Sequence, residues 1–472
     1  MRKVYLDYAA TTPVAPDVEK AMKPYWAKFF GNPMAMHSFG QEARKAVEEA
    51  RGKLADFFGF EHDEIIFTSG ATESNNLALR GVVNGIKTHI KRYPERILLP
   101  SKGSIQVSDL NRKILETKGS SRRPEPTQAR SERSPKASDL QKFVPHIITT
   151  AFEHHCLLDS AKNLRKELDA PNHAVQGVAE VTFLTPTHDG LIKLQDILAA
   201  IKPNTVLVSV MYVNNEIGTV AFLKEISEVV EKERDKRKKK AEPLGKEGLP
   251  IYFHSDITQG VNYLPCNMKK LGVDLFSLSG HKIYGPKGVG ALGVKKGTLI
   301  EKIQFGGEQE FNLRAGTHNV SGIVGMGAAI SRITNYPASP AGRQLPITNK
   351  VRELRDYFWK KLQKEVPNIS LNGSLEHRVA NNLNISFAGV EGESMLLALD
   401  MAGVACSTGS ACSSESLEPS HVLMAIGLTH PEAHGSLRFS LGEGTTKSDL
   451  DYAVAEIKKA VEKLRRVSGY KG

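Results

Sequence analysis

Residues 274–288 read Asp-Leu-Phe-Ser-Leu-Ser-Gly-His-Lys-Ile-Tyr-Gly-Pro-Lys-Gly, an apolar run that ends in a polar turn carrying a lysine. The first part, residues 274–278, is typical of a buried strand. Between about Ile65 and Gly293, such runs alternate with amphipathic stretches of helical period, a pattern typical of an α/β domain built on a mostly parallel sheet. The sequence therefore predicts an α/β fold in which Lys282 directly follows a strand.

Five predicted strands share one feature, a polar cluster that begins where the strand ends. The strands are 65–67, 146–149, 205–212, 251–254 and 274–278. The clusters that follow them are 68–72, 153–155, 214–216, Asp256 with Gln259, and 279–282. In open α/β sheets, ligands bind beyond the carboxyl ends of the strands. The sequence therefore predicts that the five clusters converge on one site.

The composition is that of a large globular chain. It has 472 residues, 40% of them hydrophobic, and four cysteines. No apolar run reaches the roughly 18 residues of a membrane helix, so we expect no membrane association. The few scattered cysteines favour a reducing compartment over a disulfide framework. A strand-like segment begins at Val4, so we expect no targeting peptide and a cytoplasmic location, or a mitochondrial one only for a processed form.

The net charge of +11 is concentrated in two segments. Residues 101–142 carry +5 of it and residues 231–240 carry +4, and neither segment contains an aromatic residue that would stack on bases. We therefore interpret both as solvated and expect no direct nucleic-acid binding. Because they show no hydrophobic period, 101–142 and 231–249 are predicted to be disordered insertions. Each lies between a helix and the next strand, hence at the edge of the sheet opposite the site.

A Pro/Gly-rich stretch at 336–346 precedes an amphipathic helix near 351–366 and indicates a domain boundary. We predict a large domain over residues 15–337. A smaller domain would combine residues 1–14 with residues 338–472 and would end in an amphipathic helix.

Three features at the predicted strand ends fit one cofactor. The turn at 69–72, Ser-Gly-Ala-Thr, connects a strand to a helix, where backbone N–H groups bind phosphate. Lys282 follows an apolar strand, and partial desolvation there lowers the pKa of an amine and suits it to a Schiff base. Asp256 ends the preceding strand, where a carboxylate keeps a pyridine nitrogen protonated. Singly, these residues are more often a surface lysine, a helix cap and a structural turn. Together they indicate pyridoxal phosphate.

The segment 279–288, Ser-Gly-His-Lys-Ile-Tyr-Gly-Pro-Lys-Gly, resembles the lysine segment of cysteine desulfurases. Five further segments match the NifS/IscS-like branch of that family in order and spacing: 5–13, 31–33, 68–76, 213–218 and 438–442. The resemblance runs from residue 4 to about residue 467, apart from the two insertions. It implies an aminotransferase class V homodimer of fold type I. In such a protein the large domain binds pyridoxal 5'-phosphate and the smaller α/β C-terminal domain carries the catalytic cysteine loop.

The resemblance also implies roles for the matching residues. Lys282 would form the Schiff base, Asp256 would pair with the pyridine nitrogen, and His154 would stack on the ring. The remaining cofactor contacts would come from Gln259 at the ring hydroxyl oxygen, from Thr72, Ser279, His281 and the backbone of Ala71 at the phosphate, and from Thr317 at the phosphate of the neighbouring subunit. Asn215 and Arg438 would clamp the substrate carboxylate, for which a planar guanidinium has bidentate geometry.

Residues 407–420, Ser-Thr-Gly-Ser-Ala-Cys-Ser-Ser-Glu-Ser-Leu-Glu-Pro-Ser, resemble the long cysteine loop of the NifS/IscS-like branch. This predicts Cys412 as the nucleophile, and the small residues around it suit a loop that moves between substrate and acceptor. We treat Cys406 as incidental. The run 154–156, His-His-Cys, has no second ligand pair at zinc-like spacing, so we expect no metal site.

The function implied is cysteine desulfuration. Lys282 or His154 would remove the Cα proton of L-cysteine, Cys412 would attack the substrate sulfur, and L-alanine would leave. The persulfide would pass to an iron–sulfur scaffold, to tRNA thiolation proteins, or to both. The alternative is a selenocysteine lyase, which shares the fold, the cofactor and the lysine motif, although the cysteine loop favours the desulfurase. A non-catalytic binding protein is a third hypothesis, and the intact residues Lys282, Asp256, His154, Cys412 and Arg438 argue against it.

Overall fold

The computed structural model describes residues 2–99, 143–169, 179–335, 346–408 and 418–470. The strands are β1 (Val4–Tyr5), β2 (Ile65–Thr68), β3 (Ile97–Leu98), β4 (His146–Thr150), β5 (Glu180–Leu184), β6 (Thr205–Ser209), β7 (Glu247–Gly248), β8 (Tyr252–Asp256), β9 (Leu275–Ser279), β10 (Gly290–Val294), β11 (Ile369–Leu371), β12 (Asn382–Phe387), β13 (Val404–Ala405) and β14 (Ser436–Ser440).

The helices in these ranges are α1 (Pro16–Met22), α2 (Pro24–Ala27), α3 (Ser38–Phe58), α4 (Ala71–Arg92), α5 (His155–Asp169), α6 (Leu194–Ala200), α7 (Leu223–Ala241), α8 (Met268–Leu271), α9 (Val320–Asn335), α10 (Pro346–Glu365), α11 (Gly392–Met401), α12 (His421–Ala425), α13 (His430–His434) and α14 (Lys447–Ser468). None of them combines the length and the hydrophobicity that crossing a bilayer requires.

The largest sheet has seven strands in the order β2-β10-β9-β8-β6-β4-β5. Its pairs are parallel except at β10, which runs antiparallel to both β2 and β9. The prediction of an α/β fold with a mostly parallel sheet is confirmed. All five predicted strands are present, and the largest shift is at 205–212, where β6 ends at Ser209. The N–H groups of Val210 and Tyr212 still donate to the carbonyls of His254 and Asp256, at 3.1 and 2.9 Å. Beyond that point the chain folds back on itself, since the Ala221 N–H donates to the Tyr212 carbonyl at 2.8 Å.

The sheet separates two hydrophobic cores, as expected where helices cover both faces of a parallel sheet. Ile65 and Phe67 of β2 point into the core that α3 and α9 cover, whereas Ile66 points into the core that α4 covers. The same alternation sends Leu275 and Phe276 of β9 to opposite cores. Because the side-chain period of a strand is two, continuous apolar runs of this kind fit only a sheet buried on both sides.

A second, three-stranded antiparallel sheet has the order β11-β12-β14. The N-terminal strand β1 pairs in parallel with β13, and Val4 lies opposite Val404. The first residues of the chain therefore pack with its C-terminal part. The segment after β1 contacts both sheets, since the Tyr8 N–H donates to the Ser440 carbonyl of β14 at 3.3 Å and the Thr12 N–H donates to the His281 carbonyl just after β9 at 2.9 Å.

The prediction that residues 231–249 form a disordered insertion is wrong. Helix α7 runs through the basic segment to Ala241, and a 3-10 turn leads from it into β7. Arg237 donates to the carbonyl of Thr205 at 2.7 Å, and Arg234 donates to that of Ile251 at 2.9 Å. Through these contacts, the charged side chains of α7 bind backbone carbonyls at the amino ends of β6 and β8. Amino-acid composition alone does not reveal such partners. The other predicted insertion, 101–142, lies outside the described residues.

A buried ion pair joins α3 to the turn before α9. Arg51 donates to both carboxylate oxygens of Glu310 at 2.8 Å, and Glu310 also accepts the Phe67 N–H at 2.7 Å.

We expect Glu310→Gln to lower the free energy of unfolding by about 3 kcal/mol, because the Arg51 charge stays buried without its counter-charge. Glu48 pairs with the same arginine from a more exposed position, so Glu48→Gln should cost less than about 1 kcal/mol. Urea unfolding of both variants checks this, and equal effects would contradict it.

Candidate active site

All five polar clusters meet in one cavity of about 510 Å³ beyond the carboxyl ends of the parallel strands. The predicted site residues that line it are Ala71, Thr72, His154, Asn215, Asp256, Gln259, Ser279, His281, Lys282 and Arg438. The cavity is also lined by residues to which sequence reasoning gave no role in the site, among them Ala9, Ala10, Cys156 and His421.

Lys282 lies at the end of a 3-10 turn that directly follows β9. Its Nζ donates to the carbonyl oxygens of Ala9 and Ala10 at 2.5 and 2.6 Å. Gln259 donates to the same Ala9 oxygen through Nε2 at 2.9 Å. The pairing of β1 with β13 brings these carbonyls to the lysine. Because every residue has a backbone carbonyl, the sequence does not identify these acceptors. The amine is therefore held at the wall of the cavity by the N-terminal segment.

Asp256 is the last residue of β8, and its side chain is held by two donors. Its Oδ2 accepts from Asn75 Nδ2 at 2.7 Å, and its Oδ1 accepts from the Thr258 N–H at 3.0 Å. Asn75 lies in the first turns of α4 and also donates to the sulfur of Cys156 at 3.1 Å. The carboxylate is thus fixed in a buried place at the cavity, which suits a cationic ring nitrogen.

His154 and Cys156 contact each other next to that carboxylate. The Nδ1 of His154 accepts the Cys156 backbone N–H at 3.3 Å and lies 3.0 Å from its sulfur. Burial lowers the pKa of His154, which favours the neutral ring. Because Nδ1 accepts a hydrogen bond, the neutral ring carries its hydrogen on Nε2. Burial, together with the negative charge of the nearby Asp256, raises the pKa of the Cys156 thiol to about 12. Cys156 is therefore a protonated thiol and not a thiolate.

The part of the cavity at the start of α4 is suited to an anion. Helix α4 begins at Ala71 with no side-chain cap hydrogen bond, so its first N–H groups are available to a ligand. Ser279 and His281 lie nearby in the same cavity. A side chain at Gly290 would come within 2.5 Å of the Gly70 Cα, so glycine allows the turn to pack on the sheet. Thr317, by contrast, is exposed and does not line the cavity.

Arg438 projects from β14, and the main chain and an acidic side chain hold its guanidinium. One nitrogen, Nη2, forms an ion pair with Asp7 at 3.0 Å, and Nη1 donates to the Asn215 carbonyl at 2.9 Å. The Arg438 Nε and the Asn215 side-chain oxygen are buried without a partner among the described residues. Buried polar atoms rarely stay unpaired. The unpaired Arg438 Nε–H therefore marks a place for an acceptor such as a carboxylate, and the Asn215 oxygen beside it is suited to a donor group of the ligand.

Cys412 lies in residues 409–417, outside the described residues. The chain on both sides of that segment adjoins the cavity. Ser407 forms a bridge with Arg438, with N–H to carbonyl distances of 3.1 and 2.7 Å, and the Ser420 hydroxyl donates to the Glu216 carboxylate. Cys406, in contrast, is buried and does not line the cavity.

Glu153 is fully buried behind His154, and we expect it to make folding stability depend on pH. Its Oε1 accepts from the Met211 N–H at 2.8 Å, whereas Oε2 has no partner among the described residues. Burial raises the pKa of Glu153 to about 8. The folded chain then keeps a proton that the unfolded chain releases above its ordinary pKa of roughly 4.3. The stability contributed by the neutral carboxyl is complete below that value and is lost as the pH rises to about 8.

Glu153→Gln removes this titration. We expect the free energy of unfolding of the wild-type chain to fall between pH 6 and pH 8 by about 2 kcal/mol more than that of the variant. Urea unfolding of both proteins at the two pH values measures the difference. Parallel behaviour of the two proteins would show that Glu153 is already ionised at pH 6.

Comparisons with known proteins agree with this geometry. A model of the family described as "Aminotransferase class-V" matches residues 4–91 and 137–453, so the chain belongs to that family. Within it the chain belongs with the cysteine desulfurases. It is 42% identical over 471 residues to "Cysteine desulfurase IscS" of Dictyoglomus turgidum, covering 100% of this chain and 97% of the relative. The protein of the same name from Methanosarcina thermophila is 38% identical over 467 residues, covering 99% and 94%.

Solved structures show the same likeness. A protein described as "NIFS-LIKE PROTEIN" superposes with a TM-score of 0.74 at 27% identity, covering 98% of this chain and 100% of its own. A second, "SspA in complex with cysteine", has a TM-score of 0.67 at 30% identity, covering 94% and 100%. The predicted family, a NifS/IscS-like cysteine desulfurase, is confirmed.

Proposed function

We propose that the chain converts L-cysteine to L-alanine and takes the sulfur onto Cys412 as a persulfide for iron–sulfur cluster assembly, tRNA thiolation or both. One observation carries the proposal. Lys282, Asp256 and Arg438 meet in one cavity, in a chain related over its full length to cysteine desulfurases.

Pyridoxal 5'-phosphate fits the donors and acceptors of that cavity. Asp256 would face the ring nitrogen, His154 the ring face and Gln259 the ring hydroxyl oxygen. The phosphate would be held by Thr72, Ser279, His281 and the backbone N–H of Ala71, where the start of α4 favours an anion. Burial, Lys282 and Lys287 lower the pKa of His281 to about 4, so it would bind as a neutral ring. When bound, the cofactor supplies a ring that accepts the negative charge developing at Cα of the substrate.

The chain's own residues would perform the remaining steps. Arg438 would bind the substrate carboxylate at its unpaired Nε edge, with Asn215 beside it, while Asp7 holds the guanidinium in place. The Lys282 amine would take the Cα proton. Cys412 Sγ would then form a bond to the substrate sulfur as the Cβ–S bond breaks. The electron pair of that bond would stay with Cβ, which would take up the proton given up by the Cys412 thiol. Return of a proton from Lys282 to Cα would complete L-alanine.

The other thiols support Cys412 as the nucleophile. A thiolate is the reactive form of cysteine, and a reactive cysteine has a lowered pKa and solvent access. Burial instead raises the pKa of Cys156 to about 12 and also raises the pKa values of Cys266 and Cys406. Every cysteine among the described residues is therefore protonated at neutral pH.

An exposed apolar surface supports the homodimer. Phe30, Met36 and Phe39 are 68%, 88% and 53% exposed, and the rings of Phe30 and Phe39 lie 5.7 Å apart. Clustered exposed apolar side chains of this size mark interfaces. In a homodimer the exposed Thr317 would have the role that the family resemblance implies for it, at the phosphate of the neighbouring subunit.

The test is alanine release from L-cysteine and, separately, from L-selenocysteine by the purified chain with pyridoxal phosphate and a reductant. Turnover of L-cysteine is the expected result. Turnover of L-selenocysteine alone would make the chain a selenocysteine lyase. A colourless protein without turnover that binds RNA in a salt-sensitive manner would favour the non-catalytic alternative.

A further inference from the structure

His421 is a cavity residue to which neither the family resemblance nor the proposed steps give a role. It is the first residue of α12 and follows closely after the segment that contains Cys412. Its Nε2 lies 2.9 Å from the backbone carbonyl oxygen of Glu153. Since a carbonyl oxygen only accepts, Nε2 must carry the ring hydrogen. The neutral ring therefore has its lone pair on Nδ1.

The ring stays neutral at physiological pH. Burial lowers the pKa of His421 to about 4, and the positive charges that His155, Lys162 and His154 can carry act in the same direction. The ring of His155 packs against it, with the two ring centroids 4.4 Å apart. His421 is thus held in one orientation and in one tautomer.

The Nδ1 atom of His421 has no use within the described part of the fold. It is buried and has no hydrogen-bond partner among the described residues. Because buried acceptors are nearly always paired, this lone pair is suited to a donor that arrives with a ligand. The ligand enters the same cavity, which His421 lines.

The position of His421 relative to the substrate follows from its neighbour. The Ser420 hydroxyl donates to the carboxylate of Glu216, which is adjacent in sequence to Asn215. Asn215 and Arg438 mark the place for the substrate carboxylate. The backbone before His421 is therefore tied to the segment that carries Asn215, and His421, Asn215 and Arg438 line the same cavity.

We propose that His421 Nδ1 accepts a hydrogen bond from the thiol of bound L-cysteine and so selects a thiol over a selenol. The inference rests on the proposed function and adds a specificity-determining contact to it. A thiol has a pKa near 8.5 and keeps its hydrogen at pH 7. A selenol is a stronger acid and is ionised there, so selenocysteine brings no hydrogen to Nδ1. Its negative charge would instead face the lone pair.

The first test compares kcat/KM for L-cysteine and L-selenocysteine in the wild-type enzyme, His421→Phe and His421→Asn. Phenylalanine keeps a ring against His155 but has no acceptor, whereas asparagine keeps an oxygen near the place of Nδ1. We expect the cysteine-to-selenocysteine ratio to fall about fivefold to tenfold in His421→Phe, chiefly through KM for cysteine. His421→Asn should recover part of the ratio. If the ratio is the same in all three proteins, the proposal is overturned.

The second test measures binding without turnover, in a Cys412→Ala background loaded with cofactor. Isothermal titration compares L-cysteine with L-2-aminobutyrate, which carries a methyl group in place of the thiol. The preference for L-cysteine should shrink fivefold to tenfold when His421→Phe is added. An unchanged preference would refute the contact even if one variant proved too unstable for kinetics. A parent enzyme that releases no alanine from L-cysteine would instead refute the proposed function itself, so the two failures are distinguishable.

Discussion

Lys282→Ala is expected to lower kcat for L-cysteine by at least about 10³-fold. The amine is placed by two backbone carbonyls, those of Ala9 and Ala10, at 2.5 and 2.6 Å. Alanine lacks the amine proposed to attach the cofactor and to take the Cα proton. No neighbouring side chain compensates for both losses, because His154 already uses its Nδ1 lone pair for the Cys156 N–H.

The matched control is Lys287→Ala, in the same segment. Lys287 also lines the cavity but has no part in the proposed steps. We expect it to keep turnover within about tenfold, since it affects the site only through charge. Borohydride reduction followed by peptide mass spectrometry should find the cofactor on Lys282 in the wild type and the control, and on no residue in Lys282→Ala. Cofactor fixed at another lysine would refute the assignment.

The fold and the place of the site could be predicted because they follow from periodicity. Apolar runs with helical stretches between them permit few arrangements other than a covered parallel sheet, and the ends of parallel strands meet at one edge. This is why residue type and position in the sequence were enough to predict that Asp256 and Lys282 lie in one site. They belong to different strands, β8 and β9, that pair side by side in the sheet.

The contacts around those residues could not be predicted, because they are made by backbone atoms or by distant parts of the chain. The acceptors for Lys282 are carbonyls of alanines, and the partner of Asp256 is an asparagine in α4. The tautomer of His421 depends on the carbonyl of Glu153, 268 residues away in sequence. The basic run at 231–240 was misread for the same reason, since Arg237 is ordered by carbonyls at the start of other strands.

Cys412→Ala is the variant that isolates the sulfur-transfer step. We expect alanine release from L-cysteine to fall by about 10³-fold or more, because the variant lacks the thiol proposed to form the S–S bond. Cofactor binding should be unchanged, since the contacts proposed for the cofactor come from other residues, among them Lys282 and Asp256. Alanine release, together with cyanolysis to detect the persulfide, measures both parts of the prediction.

Two other cysteines provide the controls for that variant. Cys406 is buried outside the cavity, so Cys406→Ala should retain turnover if the protein folds. Cys156→Ser removes the cavity thiol whose pKa burial raises to about 12, and it keeps a hydroxyl able to bond to Asn75 and His154. We expect Cys156→Ser to keep turnover within about tenfold, because a protonated thiol is a poor nucleophile. Turnover that survives Cys412→Ala but is lost in Cys156→Ser would assign the persulfide to Cys156. The bound cofactor would then have to lower the pKa of that thiol.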